Sequence, residues 1–171
     1  MTVHIPVKRN RLYVAVGIYI LLATIIFFSF FYLANYVSET WSLVIKIAGG
    51  VIAAFLIIAG ASAGKLLQDK TAGILVDANG ITDKSSAIGC GFIPWKNIRS
   101  VEADYTVLLM KIHVKSTEDI YKSAANKAIR HVLEKNAELY QTPVVIEKKY
   151  LACTFDELSN KLNEGIKKYK K

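Results

Sequence analysis

Two cysteines, three histidines and a scatter of carboxylates are the residues of this 171-residue chain whose types could do chemistry. Cys90 stands between Gly89 and Gly91, and a nucleophilic thiol there would need a base such as His113 or His131. Nothing in the spacing brings either histidine to it, and a free cysteine is ordinarily a small buried residue. His4, His113, His131, Cys90 and Cys153 show no metal-ligand spacing, so neither a metal nor a cofactor is expected. Asp69, Asp77 and Asp83 invite an acid–base reading, but Asp77 opens an Asp-Ala-Asn-Gly turn that accounts for it. Gly60 to Lys65, GASAGK, resembles a phosphate-binding loop with one residue too few between its glycines and Leu66 where Ser or Thr is required. No enzymatic activity is expected.

The elements that must carry these residues start in a membrane. Leu12 to Ser38 holds no charged residue, and about 20 apolar residues suffice to cross a hydrocarbon core of about 30 Å. A signal peptide has an apolar core of only about 7–15 residues and then small residues, where this chain has Phe-Phe-Ser-Phe-Phe-Tyr. A second apolar block, Trp41 to Gly64, is interrupted only by Lys46. The reading is a transmembrane hairpin over 12–64, with helices at 12–36 and 41–64, preceded by a basic tail at 1–11 and followed by a soluble domain at 65–171. Lys8, Arg9, Arg11, Lys65 and Lys70 flank the spans, while the short connection carries Glu39 and no basic residue. Basic flanks stay cytosolic, so both termini are expected there. Lys46 is expected to snorkel to the outer interface, near Tyr32, Tyr36 and Trp41. Gly49 and Ala53, Gly50 and Ala54, and Gly60 and Gly64 are each four apart; they serve either packing within the hairpin or a homodimer.

From Lys65 onward 18 basic residues face 13 acidic ones. Held close to a membrane, such a surface favours anionic headgroups at about 1 kcal/mol per basic residue; it is a weak footprint for nucleic acid, and none is expected. Strands are predicted at Gly73 to Val76 and Ile81 to Ser85, around an Asn-Gly turn, then at Ile98 to Ala103, Val107 to Val114 and Val144 to Lys148. Pro94 marks an edge, a bulge or a strand end. Glu118 to Tyr140 reads as one amphipathic helix, capped by Ser116 or Thr117 and stopped by Pro143. Thr154-Phe155-Asp156-Glu157 matches a capping box opening a last helix, Phe155 to Tyr169, with Lys167, Lys168, Lys170 and Lys171 at its end.

The hairpin, the strand–Asn-Gly–strand unit and the run Ile93, Pro94, Trp95, Ile98, Val101 together resemble small bacterial two-span membrane proteins with a cytosolic pleckstrin-homology-like domain. The resemblance covers about 73–115 and, more loosely, 144–169. It implies an α+β domain: an open barrel or bent antiparallel sheet plugged by the terminal helix, with the amphipathic helix as an addition. It implies the bacterial inner membrane and no catalytic residues. The function expected is a membrane-anchored interaction module with an unknown protein partner or a second copy. The alternative is an anionic headgroup-binding module. Lys84, Trp95, Lys96 and Arg99 are the candidate interface or partner contacts. Trp95 either packs beneath the last helix, against Phe155 or Leu158, or dips into the membrane interface.

Overall fold

A computed structural model describes residues 2–169; Lys170 and Lys171, counted above in the basic C-terminus, lie outside the described residues. The chain divides into two units, one of residues 9–69 and one of the residues up to 8 together with those from 70 onward.

The first unit is a helical hairpin: α1, Arg9–Leu33, a 3-10 turn at Ala34–Tyr36, and α2, Glu39–Gln68. At 25 and 30 residues the helices are roughly 38 and 45 Å long, and both are long and apolar enough to cross a bilayer. Their contact is made by small residues. Gly49, Ala53, Gly60 and Ala63 of α2 are buried, and a Cβ on Gly49 would collide with the Cβ of Phe30, while one on Gly60 would lie 3.3 Å from the Cβ of Tyr19. Gly50 and Gly64 have nothing within 4 Å of a would-be Cβ and so lie off that contact. Large apolar side chains point the other way, with Phe28 at 66% and Phe55 at 72% exposure. Water does not tolerate a continuous patch of that size, so an apolar phase or partner must cover it. Lys46 is half-buried with its Nζ 5.2 Å from the centre of the Phe31 ring, a cation–π contact within the hairpin.

Among the described residues the second unit contains two antiparallel sheets, three α-helices and a 3-10 turn. β1 (Val3–Pro6), β2 (Gly73–Val76), β3 (Gly80–Lys84) and β4 (Gly91–Pro94) form the first sheet in that order. β5 (Ile98–Asp104), β6 (Leu109–Val114) and β7 (Val144–Glu147) form the second. Residues 3–6, inside the segment expected to be a basic tail, are thus an edge strand. The alternation of Val3, Ile5 and Val7 with His4 and Pro6 puts Ile5 into the core at 1% exposure, and the 9–69 hairpin is inserted between two paired strands. Lys8 N–H donates to the Tyr150 carbonyl and Ala152 N–H to that of Pro6, which ties the same segment to the chain leading into the last helix.

The helix expected over 118–140 is two helices, α3 (Thr117–Ser123) and α4 (Lys127–Tyr140). The apolar stripe does run through both, with Ile120 and Leu133 buried. Asn126 breaks the run: its backbone is extended and its side chain accepts the Ile129 N–H at 2.9 Å, so it caps α4 instead of continuing α3. Ser116 caps α3, and α4 ends at Gln141, whose φ of 59° is left-handed, two residues before Pro143. The capping box forms in full at the start of α5 (Phe155–Tyr169). Thr154 N–H donates to Glu157 Oε2 at 2.8 Å, and Glu157 N–H to Thr154 Oγ1 at 3.1 Å. Phe155, Leu158 and Leu162 enter a core shared with Ile74, Ile81 and Ile93 of the first sheet and Ile98, Met110 and Ile112 of the second.

Candidate functional site

Strand alternation gives the first sheet two unlike faces. Ile5, Ile74, Val76, Ile81 and Ile93 point into the core. The cross-strand row His4–Leu75–Thr82–Phe92 lies on the other face, ranging from half-buried at Leu75 and Thr82 to exposed at His4 and Phe92. A concavity of about 320 Å³ opens on that face, lined by His4, Leu75, Thr82 and Lys84 from the strands and by Lys70 and Thr71 from the segment leading into β2. That volume is at the lower end of the range for small-molecule sites, about 300–1,000 Å³.

Local backbone chemistry shapes this concavity. Gly73 begins β2 with φ of 136°, a region closed to side chains, and a Cβ there would strike the Ile5 carbonyl oxygen. The chain can therefore bend sharply from Lys70 and Thr71 into the sheet. Lys84 pairs with Gly73 across the ladder, and its Nζ donates to Thr71 Oγ1 at 3.1 Å, which draws the lysine over the opening. Lining side chains are thus two ammonium groups, an imidazole, two hydroxyls and one leucine. None of the described residues lining it is acidic. Such a lining offers cationic and hydroxyl donors, with no carboxylate among the lining side chains.

Of the four candidate contacts Lys84, Trp95, Lys96 and Arg99, Lys84 lines this concavity and the other three do not. Lys96 and Arg99 are exposed around the 3-10 turn Trp95–Asn97 and the start of β5. Trp95 is buried at 4% exposure. Its Nε1–H donates to the Asp77 carbonyl at 2.8 Å, and its ring stacks on Tyr169 with centroids 6.1 Å apart. The ring lies against Gly165 so closely that a Cβ there would come within 2.6 Å of it. The indole thus packs beneath α5 at Gly165 and Tyr169, about two to four turns beyond Leu158 and Phe155, and presents no face for a membrane. Asn97 beside it went unnoticed in the sequence. Its side chain accepts the Ser116 N–H at 2.8 Å and donates to the Ser116 carbonyl at 3.1 Å, clasping the link between the sheets to the end of β6.

The groups with catalytic types have other uses. Asp83 points into the core side of β3 and is 3% exposed. It accepts from Ser85 N–H at 2.9 Å and Ser85 Oγ–H at 2.6 Å, and Cys90 Sγ lies 3.8 Å from its other oxygen. Burial holds the Asp83 carboxyl above its ordinary range, opposed by those hydrogen bonds, and burial next to this carboxylate pushes the Cys90 thiol well up. A thiol so placed is a poor nucleophile. The cluster stitches the 85–90 loop shut. His113 pairs with Glu102 at 3.0 Å on the second sheet, where Lys111 holds Asp104 at 2.8 Å. Among the described residues no three His, Cys, Asp or Glu side chains converge as metal ligands.

Elsewhere on the second unit, Tyr105, Val107 and Leu108 at the β5–β6 turn and Leu139 on α4 are exposed apolar side chains. Tyr105 is steadied by an edge-on contact with Phe155 and a 2.9 Å hydrogen bond to Asp156. Compared with protein-family models, with curated proteins and with solved structures, the chain matches none of them.

Proposed function

We propose that this chain is a two-span protein of the bacterial inner membrane with both termini in the cytosol, whose extramembrane unit is pleckstrin-homology-like and works as a non-catalytic interaction module. A four-stranded and a three-stranded antiparallel sheet followed by a packed C-terminal helix are the layout such a domain requires, which supports the fold reading. The basic residues flanking the apolar helices support the orientation.

One observation carries the functional reading. Asp83 and Cys90, the groups best suited to chemistry by type, are consumed inside the fold, while the β5–β6 turn offers Tyr105, Val107 and Leu108 to the outside. Three large apolar side chains exposed at one turn favour a covering partner more than single scattered ones would. Replacing Val107 with a photo-crosslinking residue in the full chain, in native membranes, tests this. A discrete adduct is expected, and one of twice the chain's mass would make the partner a second copy. Only lipid adducts, or none, at positions 107 and 139 alike would overturn the protein-partner reading.

The cationic concavity favours a second reading, recognition of anionic headgroups at the inner leaflet. Flotation with anionic against neutral liposomes of the full chain extracted in mild detergent separates the two.

A further inference from the structure

Three elements of the extramembrane unit close on a cleft of about 190 Å³. The first wall is sheet: Val145 and Glu147 alternate onto one face of β7, and Leu109 joins them as the cross-strand partner of Glu147. The second is α4, where Val132, Asn136 and Tyr140 fall four residues apart and so form one stripe. The Asn136 amide donates to the Pro143 carbonyl at 3.3 Å, which fixes that stripe against the turn into β7. The third is the 85–90 loop, pinned by the Asp83–Ser85 bonds and by Gly89 N–H donating to the Ser86 carbonyl at 3.1 Å; it contributes Ser86 and Ile88. Tyr150, whose carbonyl accepts the Lys8 N–H, completes the lining.

The cleft is acidic and aromatic. Its ionisable side chains are Glu147 and the two tyrosines, and none of the described residues lining it is basic. Among the described residues, the Glu147 carboxylate and the Ser86, Tyr140 and Tyr150 hydroxyls make no hydrogen bond or ion pair. Lys149, next in the chain to Tyr150, carries its ammonium 5.1 Å from the centre of the Tyr150 ring, so that ring already meets a cation. The volume lies below the usual range for drug-sized ligands, about 300–1,000 Å³, and near the roughly 150 Å³ that admits a benzene.

We infer that this cleft binds a small organic ammonium. The cation pairs with Glu147 and the tyrosine rings, the hydroxyls accept its N–H bonds, and a short apolar chain lies on Ile88, Leu109, Val132 and Val145. This goes beyond both readings above and needs neither. Free amines and aminophospholipid headgroups both carry the group. Lys8, which bonds Tyr150, directly precedes α1, so a lipid source is as accessible as a soluble one.

The test uses the full chain in uncharged maltoside micelles at neutral pH, with isoleucine and valine methyl groups labelled for NMR. It is titrated separately with n-butylammonium, n-butanol, short-chain phosphatidylethanolamine and short-chain phosphatidylglycerol. Methyl resonances of Ile88, Val132 and Val145 report on the cleft, and those of Ile74 and Ile98 on the core. n-Butylammonium is expected to shift the first set saturably and leave the second alone; n-butanol, similar in size without the charge, should act much less. Glu147→Gln keeps the shape and should lose about 5-fold in affinity, the order expected of one partly exposed charge pair. Glu164→Gln, in the groove beneath α5, should lose nothing. Added salt should weaken n-butylammonium binding in the parent chain itself, which tests the charge without any variant.

Shifts with phosphatidylethanolamine and not phosphatidylglycerol would uphold the site and make its source a lipid headgroup; shifts with n-butylammonium alone would uphold it for a free amine. n-Butanol matching n-butylammonium, or an affinity that neither Glu147→Gln nor salt alters, would reduce the cleft to an apolar recess and overturn the inference. No saturable shift with either ammonium probe overturns it as well.

Discussion

Gly49 and Gly165 do the same mechanical job in the two halves of the molecule, and the surroundings make it count differently. Each leaves out a Cβ so that an aromatic can close on a helix: Phe30 on α2 in the hairpin, Trp95 on α5 in the sheet-containing unit. In the hairpin the small residues are the buried ones, and the phenylalanines, isoleucines and leucines face outward. In the other unit the arrangement is reversed, with isoleucines at the centre and lysines outside. If the hairpin lies in a bilayer, helix contact there is a matter of shape, because an apolar surrounding offers no hydrophobic gain for bringing the helices together. Aromatic closure in the second unit removes apolar area from water as well, and so is worth more.

Trp95→Ala is the largest effect this contrast predicts. It removes a fully packed indole, its 2.8 Å bond to the Asp77 carbonyl and the ring beneath Tyr169 and Gly165. A loss of about 3–5 kcal/mol is expected, a large part of the roughly 5–15 kcal/mol typical of a domain. Urea unfolding of the full chain in detergent, read by hydrogen exchange over 70–169, measures it. An unchanged midpoint would mean that Trp95 is not part of the core.

Gly49→Val is the matching test in the hairpin. A Cβ at 49 would clash with the Phe30 Cβ, so the helices must separate or shift, at about 1–3 kcal/mol for overpacking. Exchange over 9–69 should accelerate while the midpoint of the sheet-containing unit stays where it was. A fall in both together would show that the two units melt as one and that the comparison between them has no energetic basis.

How much of this was legible beforehand follows from how local each signal is. The Asn-Gly turn, the capping box at Thr154 and Glu157 and the two apolar helices are written within a few neighbouring residues, and they formed where the sequence placed them. β1 was not legible as a strand, because its partner β2 lies beyond the whole apolar hairpin and four residues are too short a run to show their period. The gap between α3 and α4 was hidden by the apolar stripe that continues across it; Asn126 reads as a tolerated helix residue until its side chain is seen capping the next turn. The concavity on the outer face of the first sheet depended on the unread strand β1. Lys84 could be picked out as basic, but His4, Leu75 and Thr82 become neighbours only when three strands align in register. For Trp95 the sequence left packing and membrane contact open, since Pro94 ends the strand period and with it the means of assigning a face.

The smallest change sharpens the comparison through charge, for the sheet-containing unit buries a carboxylate at Asp83. Asp83→Asn removes the penalty of burying that group and keeps an oxygen for Ser85, but its amide turns a donor toward Cys90, whose N–H and thiol the carboxylate now receives. Gain and loss oppose each other, so the net change at neutral pH is expected to stay below about 1 kcal/mol. The pH profile is the better reading. Burial raises the folded-state pKa of Asp83 above the unfolded value of about 3.9, so the folded chain binds the proton more tightly. This group's contribution to stability therefore declines as pH rises from about 4 through the raised folded value, and is level above it. Asp104 acts in the opposite sense: the bond from Lys111 lowers its pKa, and its contribution is present above about pH 4 and fades as the solution is acidified. Subtracting the Asp83→Asn curve of urea midpoints from that of the parent cancels the Asp104 contribution and leaves that of Asp83. A difference that falls with rising pH is expected, and one that is flat from pH 4 to 8 would place the carboxylate in contact with water.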